Sequence, residues 1–298
     1  MGAPLEISLD GASAHARAPI LAAIRRVEQA LSAFQPRSEL TCLNQAAALD
    51  WTPASPLLLS VLEASRRAHF LTDGAFDPTV GPLLQAWGFR HRPSQPASQA
   101  LRDLKERVGL SLVKRSDNRL GFHKDRMSLD FGGIAVGFAI DQAFDAAKSA
   151  GVRHGLINAA GDIRAIGSRS DGTPWRIGLR DPADTERVFA AVRLQADQAM
   201  TTSGTYEKFV DTRNGKVSHI FDPRTGESPR EVVSATVLAP TAVVADAMAT
   251  ASVVLGATEA LKMLEQTPNT EGILVVDTGR GRKCMATGGL EADMLRSV

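Results

Sequence analysis

Asp246 and Thr250 lie four residues apart in the stretch VVADAMATASVVLG. A helix there puts a carboxylate and a hydroxyl on one face, one turn apart. Two hard oxygen ligands of this kind suit Mg2+, which takes one or two protein side chains and leaves its other positions to water, backbone carbonyls and substrate phosphates. A purely structural reading stays open, with the threonine bonded to the helix backbone and the aspartate near the helix start. A second stretch, SHIFDPRTG (218–226), brings an imidazole, a carboxylate, a guanidinium and a hydroxyl together where a strand runs into a turn. Asp222 and Pro223 alone make an ordinary turn, and a lone histidine is commonly a satisfied polar residue. The density of the four groups is what marks the segment. A third, LDFGGIAVGFAID (129–141), sets two glycines at a strand-to-helix junction, where bare backbone can approach a phosphate or a metal. Close packing explains those glycines equally well, and their spacing matches neither GxGxxG nor the GK[ST] of a P-loop.

These candidates need elements to position them. Residues 5–9 alternate like a strand, and Pro19 opens a helix with Ile20, Ile24, Val27, Leu31 and Phe34 on one face. The segment 38–44 reads as polar and irregular, 56–71 as a helix ending at Asp73 and Gly74, and 76–89 as a loop. The Pro-, Ser- and His-rich stretch 90–100 is the best linker candidate, but the elements after it are too few to form a separate core, so one domain over 1–298 is expected. Strand pieces are predicted within 112–130, a helix over 134–150, and short strands near 154–158, 163–166, 175–179 and 188–194. A strand over 231–238, helices over 243–255 and 259–264 and a buried strand over 272–276 complete the pattern. Strands and helices group irregularly, which favours α+β over a doubly wound parallel sheet.

Composition excludes several classes of function. Lys and Arg total 34 against 33 Asp and Glu, a net charge of +1 over 298 residues, so nothing electrostatic points to nucleic acid or an acidic membrane. No apolar run reaches the ~20 residues of a membrane-spanning helix. The N-terminus shows no basic segment followed by an apolar core, so a cytoplasmic location is expected from these residues, and a periplasmic or membrane-associated one if an export signal precedes them. Cys42 and Cys284 belong to no CxxC or Cys/His cluster and read as unpaired packing cysteines.

Seven blocks, in order, resemble the FAD:protein FMN transferase (ApbE) family: SELTCLN (38–44), DGAFDPTVGPLLQAWGF (73–89), LDFGGIAVG (129–137), INAAGDI (157–163), TSGTYEKF (202–209), HIFDPRTG (219–226) and ADAMATA (245–251). The resemblance covers almost the whole chain. It implies a single large α+β domain of ApbE/T-fold-like type, with mixed, mainly antiparallel sheets packed with helices. It also implies an enzyme that holds Mg2+ against the diphosphate of FAD and transfers FMN to a Thr or Ser hydroxyl of a protein acceptor, releasing AMP. The family's acceptor motif runs Asp, Gly, then Ser or Thr, Gly, Ala, Thr.

Position by position, the resemblance implies Asp246, Thr250 and the carbonyl of Gly133 as metal ligands and His219 as the general base. Met1, Phe34, Ala75, Phe76, Asp77, Asp130, Val136 and Ile220 match positions that line the FAD pocket. Tyr206, the one tyrosine, reads equally as a core aromatic and as a substrate contact. Four positions depart from the family pattern. Phe34 stands where many members have Tyr, Val136 where the family usually has Lys, Ala160 where Gly is common, and Thr205 where many have Asp. Two further readings stay open: hydrolysis of FAD to FMN and AMP, with water replacing the protein hydroxyl, which would follow if Val136 or Thr205 weakened acceptor use, and a non-catalytic FAD-binding protein, against which the presence of both metal side chains argues.

Overall fold

The computed structural model describes residues 4–10, 14–90, 92–213 and 215–290. In chain order these form β1 (Leu5–Asp10), α1 (Arg17–Leu31), α2 (Glu39–Ala46), β2 (Thr52–Pro53), α3 (Pro56–Leu71), α4 (Gly81–Ala86) and α5 (Ser98–Lys105). Then come β3 (Val113–Ser116), β4 (Arg119–Phe122), α6 (Ala135–Ser149), β5 (His154–Ala159), β6 (Asp162–Ile166), β7 (Trp175–Asp181) and β8 (Asp184–Leu194). The chain continues through β9 (Ala199–Gly204), β10 (Phe209–Thr212), β11 (Gly215–Ser218), β12 (Val232–Ala239), α7 (Ala242–Leu255), α8 (Ala257–Gln266), β13 (Glu271–Asp277) and β14 (Arg282–Ala286).

Seven strands form one sheet in the order β1-β5-β6-β9-β12-β13-β14, and every pairing within it is antiparallel. The architecture is α+β, as the irregular grouping of elements implies. Period-two alternation along the strands assigns the two faces. Ala199 of β9 and Ala239 of β12 join the apolar cluster of α1 and α6, and Ala235 and Val237 of β12 pack with α7. Ile163, Ala165, Met200 and Leu238 point the other way, onto Leu179, Ala190, Val192 and Leu194 of the β7–β8 hairpin. With both faces covered, β12 is buried along its whole length.

Several sequence expectations change. The segment 38–44 is not irregular: Ser38 caps α2, its Oγ accepting from Thr41 N at 3.0 Å, and Leu40 and Leu43 are buried. Its polar residues mark a helix start. The loop expected at 76–89 contains a 3-10 turn at Pro78–Val80, capped by Asp77, and then α4. Phe34 lies beyond the end of α1 and is 57% exposed. The linker candidate gives way to α5 at Ser98. Strands β9, β10 and β14 appear where no element was assigned, because their residues are too polar or too small to give an apolar run, while β11 ends at Ser218, where a strand end was expected. Both cysteines are free and exposed, not packed. Among the described residues no helix is long and apolar enough to cross a membrane.

Candidate active site

The site begins where α6 and α7 touch. A side chain on Gly137 would collide with the Ala242 carbonyl, so glycine lets the helices close. In that contact the Gly137 N–H donates to Asp246 Oδ2 at 3.0 Å. One turn further along α6, Asp141 accepts from the first N–H groups of α7, Ala242 and Val243, at 2.9 Å each. Asp141 is itself held by Arg164 Nη1 at 2.6 Å, whose guanidinium lies 3.6 Å from the centre of the Phe144 ring. These contacts fix both the register and the rotation of α7, and with them Asp246 and Thr250.

Asp246 is 5% exposed. Burial pushes its carboxyl up to about 7; the Gly137 N–H opposes the rise and the nearby Asp141 charge adds to it. Asp162, at the start of β6, is raised for related reasons, by burial first and then by the charge of Asp246. Thr250 Oγ1 lies 3.2 Å from Ser203 Oγ of β9. A Cβ on Gly133 would sit 2.8 Å from Thr250 Oγ1, so only glycine brings the backbone this close to the hydroxyl. Among the described residues no three His, Cys, Asp or Glu side chains cluster as a metal site. A cation here would need hydroxyl, backbone and substrate oxygens besides carboxylate. That is the donor mixture Mg2+ accepts, and a positive charge would ionise the buried Asp246. The residues present therefore fit the ion.

Across a cavity of about 190 Å³, His219 forms the facing wall. Its Nδ1 lies 3.2 Å from the Lys208 carbonyl, which only accepts, so Nδ1 carries the proton and Nε2 keeps its lone pair. Burial lowers the imidazole to about 4, with Lys208 and Arg90 also lowering it and its bond to the Lys208 carbonyl and the charge of Asp130 opposing. At neutral pH the ring is an uncharged proton acceptor.

Of the other residues named from sequence, Ala75, Phe76, Asp77, Asp130, Val136 and Ile220 all line this cavity, with Gly133, Asp246 and Thr250. Two of their carboxylates are already engaged. Asp77 accepts from Thr79 N at 2.8 Å, Thr79 Oγ1 at 2.5 Å and Leu110 N at 3.0 Å. Asp130 accepts from Gly132 N at 2.9 Å and from Arg90 through Nε, at 2.7 Å, and Nη2. Phe34 is outside the cavity wall but touches it indirectly, its ring 4.7 Å from the Arg90 guanidinium. Met1 lies outside the described residues.

The density of polar groups in 218–226 is mostly turn chemistry. Arg224 donates to Asp222 through N, Nε and Nη2 at 2.8–2.9 Å, Gly226 N closes the turn on the Asp222 carbonyl at 2.7 Å, and Thr225 Oγ1 accepts from Glu227 N. Only the stretch from His219 to Phe221 reaches the cavity. Tyr206 lines a neighbouring cavity, and Thr205 bonds to the Val233 carbonyl, away from the site. Sequence reasoning assigned no role to Arg90, Asp162, Ser203, Glu207 or Lys208, all of which line the site. Asp162 and Ser203 fall within recognisable blocks. Arg90 gave no signal inside a stretch that reads as linker.

Acidic and hydroxyl groups over bare glycine backbone, facing a neutral imidazole, make this an antiparallel α+β protein with an enzyme-type cleft. The chain belongs to the ApbE family, whose model matches residues 1–274. It is 31% identical over 264 residues to the FAD:protein FMN transferase of Vibrio cholerae serotype O1, covering 87% of this chain and 79% of that one. Identity to the FAD:protein FMN transferase of Escherichia coli K12 is also 31%, over 83% of this chain and 72% of that one. Among solved structures, the ApbE protein of Thermotoga maritima superposes with a TM-score of 0.86 at 29% identity, covering 95% of this chain and 92% of that one. The flavin transferase ApbE of Vibrio cholerae superposes at 0.83 with 28% identity, covering 97% and 94%.

Proposed function

We propose that this chain, acting as one unit over 1–298, transfers FMN from FAD to a Thr or Ser hydroxyl of an acceptor protein, with Mg2+ required and AMP released. The observation that carries this reading is the convergence on one cavity of groups left free for it: the Nε2 lone pair of His219, the Asp246 carboxylate, the Thr250 hydroxyl and the backbone at Gly133. Relatives named as FAD:protein FMN transferases support the choice of reaction.

Asp246, Thr250 and the Gly133 carbonyl hold Mg2+, which when bound neutralises diphosphate charge and makes the phosphorus more electrophilic. Ala75, Phe76 and Ile220 supply apolar wall for FAD. Asp77 and Asp130, their carboxylates held by protein donors, act as fixed wall more than as mobile ligands. Val136 adds no positive charge there, so Arg90 and Lys208 are the cations that line the cavity. Phe34 supports Arg90 at the rim, and Met1 is assigned to the pocket by family resemblance alone. His219 receives the acceptor hydroxyl proton at Nε2. A neutral base positioned by its other nitrogen suits that task.

The test is incubation with FAD, Mg2+ and a carrier protein displaying an exposed Asp-Gly-Thr-Gly-Ala-Thr segment. The expected product is covalently fluorescent carrier, with AMP formed only when carrier is present. AMP without carrier would support hydrolysis instead, and tight FAD retention with no turnover would support a binding protein.

A further inference from the structure

A second cavity, about 660 Å³, lies on the opposite face of the sheet, beneath the β7–β8 hairpin. Its floor is Glu6, Asn158, Ile163, Met200 and Thr236, one residue from each of five adjacent strands. Register confirms that they share a face: Asn158 pairs with Glu6 and Ile163, and Ile163 with Met200. Five strands about 4.8 Å apart make a channel about 19 Å long, the span of about six extended residues. Residues 177–180 of β7 form its roof.

The lining is mixed. Ile163, Ile177 and Met200 are apolar, Asn158, Tyr206 and Thr236 offer hydrogen-bonding groups, and Glu6, Arg180 and Glu207 are charged. That composition suits a peptide, with its alternating polar backbone and side chains, better than an acyl chain or a polyanion. The channel also reaches the candidate active site, because Ala160, Thr202 and Glu207 line both cavities. Among the described residues only those three are shared. Among the described residues, none of those assigned to FAD or Mg2+ borders the second cavity.

We propose that the second cavity receives an extended segment of the acceptor protein and presents its Ser or Thr hydroxyl to the first cavity past Ala160, Thr202 and Glu207. This rests on the transferase reading. In the step it serves, the hydroxyl oxygen bonds to the phosphorus of the FMN half while the bridging bond to the AMP half breaks. AMP leaves with that electron pair, and the hydroxyl proton passes to His219.

Thr185 and Arg180 are exposed hairpin residues that border the second cavity and not the first. Thr185→Trp narrows the channel and Arg180→Glu reverses its charge. With the same carrier protein, both variants should raise the KM for carrier about tenfold or more, while the FAD dissociation constant, read by flavin fluorescence with Mg2+, stays within about twofold of wild type. In the unaltered protein, adding carrier should slow hydrogen exchange of the amides of residues 177–180, a readout that needs no variant to fold. Unchanged KM together with unchanged exchange overturns the acceptor channel alone, provided the unaltered protein labels the carrier. Weakened FAD binding in both folded variants overturns it in favour of a channel that holds part of FAD. Failure of the unaltered protein to label carrier overturns the transferase reading and this proposal with it.

Discussion

On α7, Asp246 and Thr250 sit in a helix that is otherwise almost wholly buried and apolar, and both line the cleft. In the turn after β11, four polar side chains fall within 219–226 and only His219 lines it. The sparse region supplies more of the site's polar groups than the dense one. Asp222, Arg224 and Thr225 close hydrogen bonds with one another and with the turn backbone, so they have little capacity left for a ligand. Asp246 receives one backbone N–H and Thr250 faces another hydroxyl, so both keep lone pairs for the cavity. What marks a functional group is the hydrogen-bonding capacity left after the fold has taken its share.

The contrast can be broken most sharply at Asp246. Asp246→Ala should lower Mg2+-dependent FMN transfer by on the order of 1,000-fold with an unchanged circular dichroism spectrum; near-normal rates of AMP release would remove α7 from the chemistry. His219→Ala should cost about 100-fold in transfer rate. A loss confined to FAD affinity would reduce His219 to a binding contact.

The state of His219 can be checked without turnover. NMR titration of its imidazole in the free protein should show a midpoint near 4, and a midpoint near 6.5 would show that its surroundings do not lower it. The folded state binds this proton less readily than the unfolded one, so the contribution of His219 to stability falls as pH drops from about 6.5 towards 4.

At the other pole, Arg224→Ala should leave transfer within about twofold of wild type. It should cost at most about 1 kcal/mol of stability, since its ion pair with Asp222 is half-exposed and local. A large rate loss there would return the whole turn to the active site. The smallest effect is expected between the two cavities, at Ala160. This residue and Gly161 form the two-residue β5–β6 turn with φ of 56° and 100°, the left-handed geometry of a type I′ hairpin. Ala160→Gly should relieve about 1 kcal/mol of strain, raising the midpoint of thermal unfolding by about 2–3 °C.

Much of this was legible along the chain. Period-two and helical spacing located β1, α1, α3, α6, β5, β6, β12, α7 and β13 to within a few residues, because each buries an apolar face whose spacing is written locally. The pairing of Asp246 with Thr250 is likewise a property of helical periodicity, and the order of the seven blocks identified the family. Strand β9 escaped because AMTTSG carries too little apolar surface to stand out; its burial comes from β6 and β12 on either side. Arg90 escaped because its partner, Asp130, lies forty residues away and its stretch looks like linker.

The sequence by itself determined the family, the candidate groups and the types of those elements that bury a regular apolar face, since these depend on residue kind and short spacing. Only the tertiary structure decided which of those groups remain available. The bond from Gly137 to Asp246 spans 109 residues and that from Ser203 to Thr250 spans 47. No local pattern encodes such pairings, because hydrogen-bonding capacity is allotted only when distant segments pack together and exclude water.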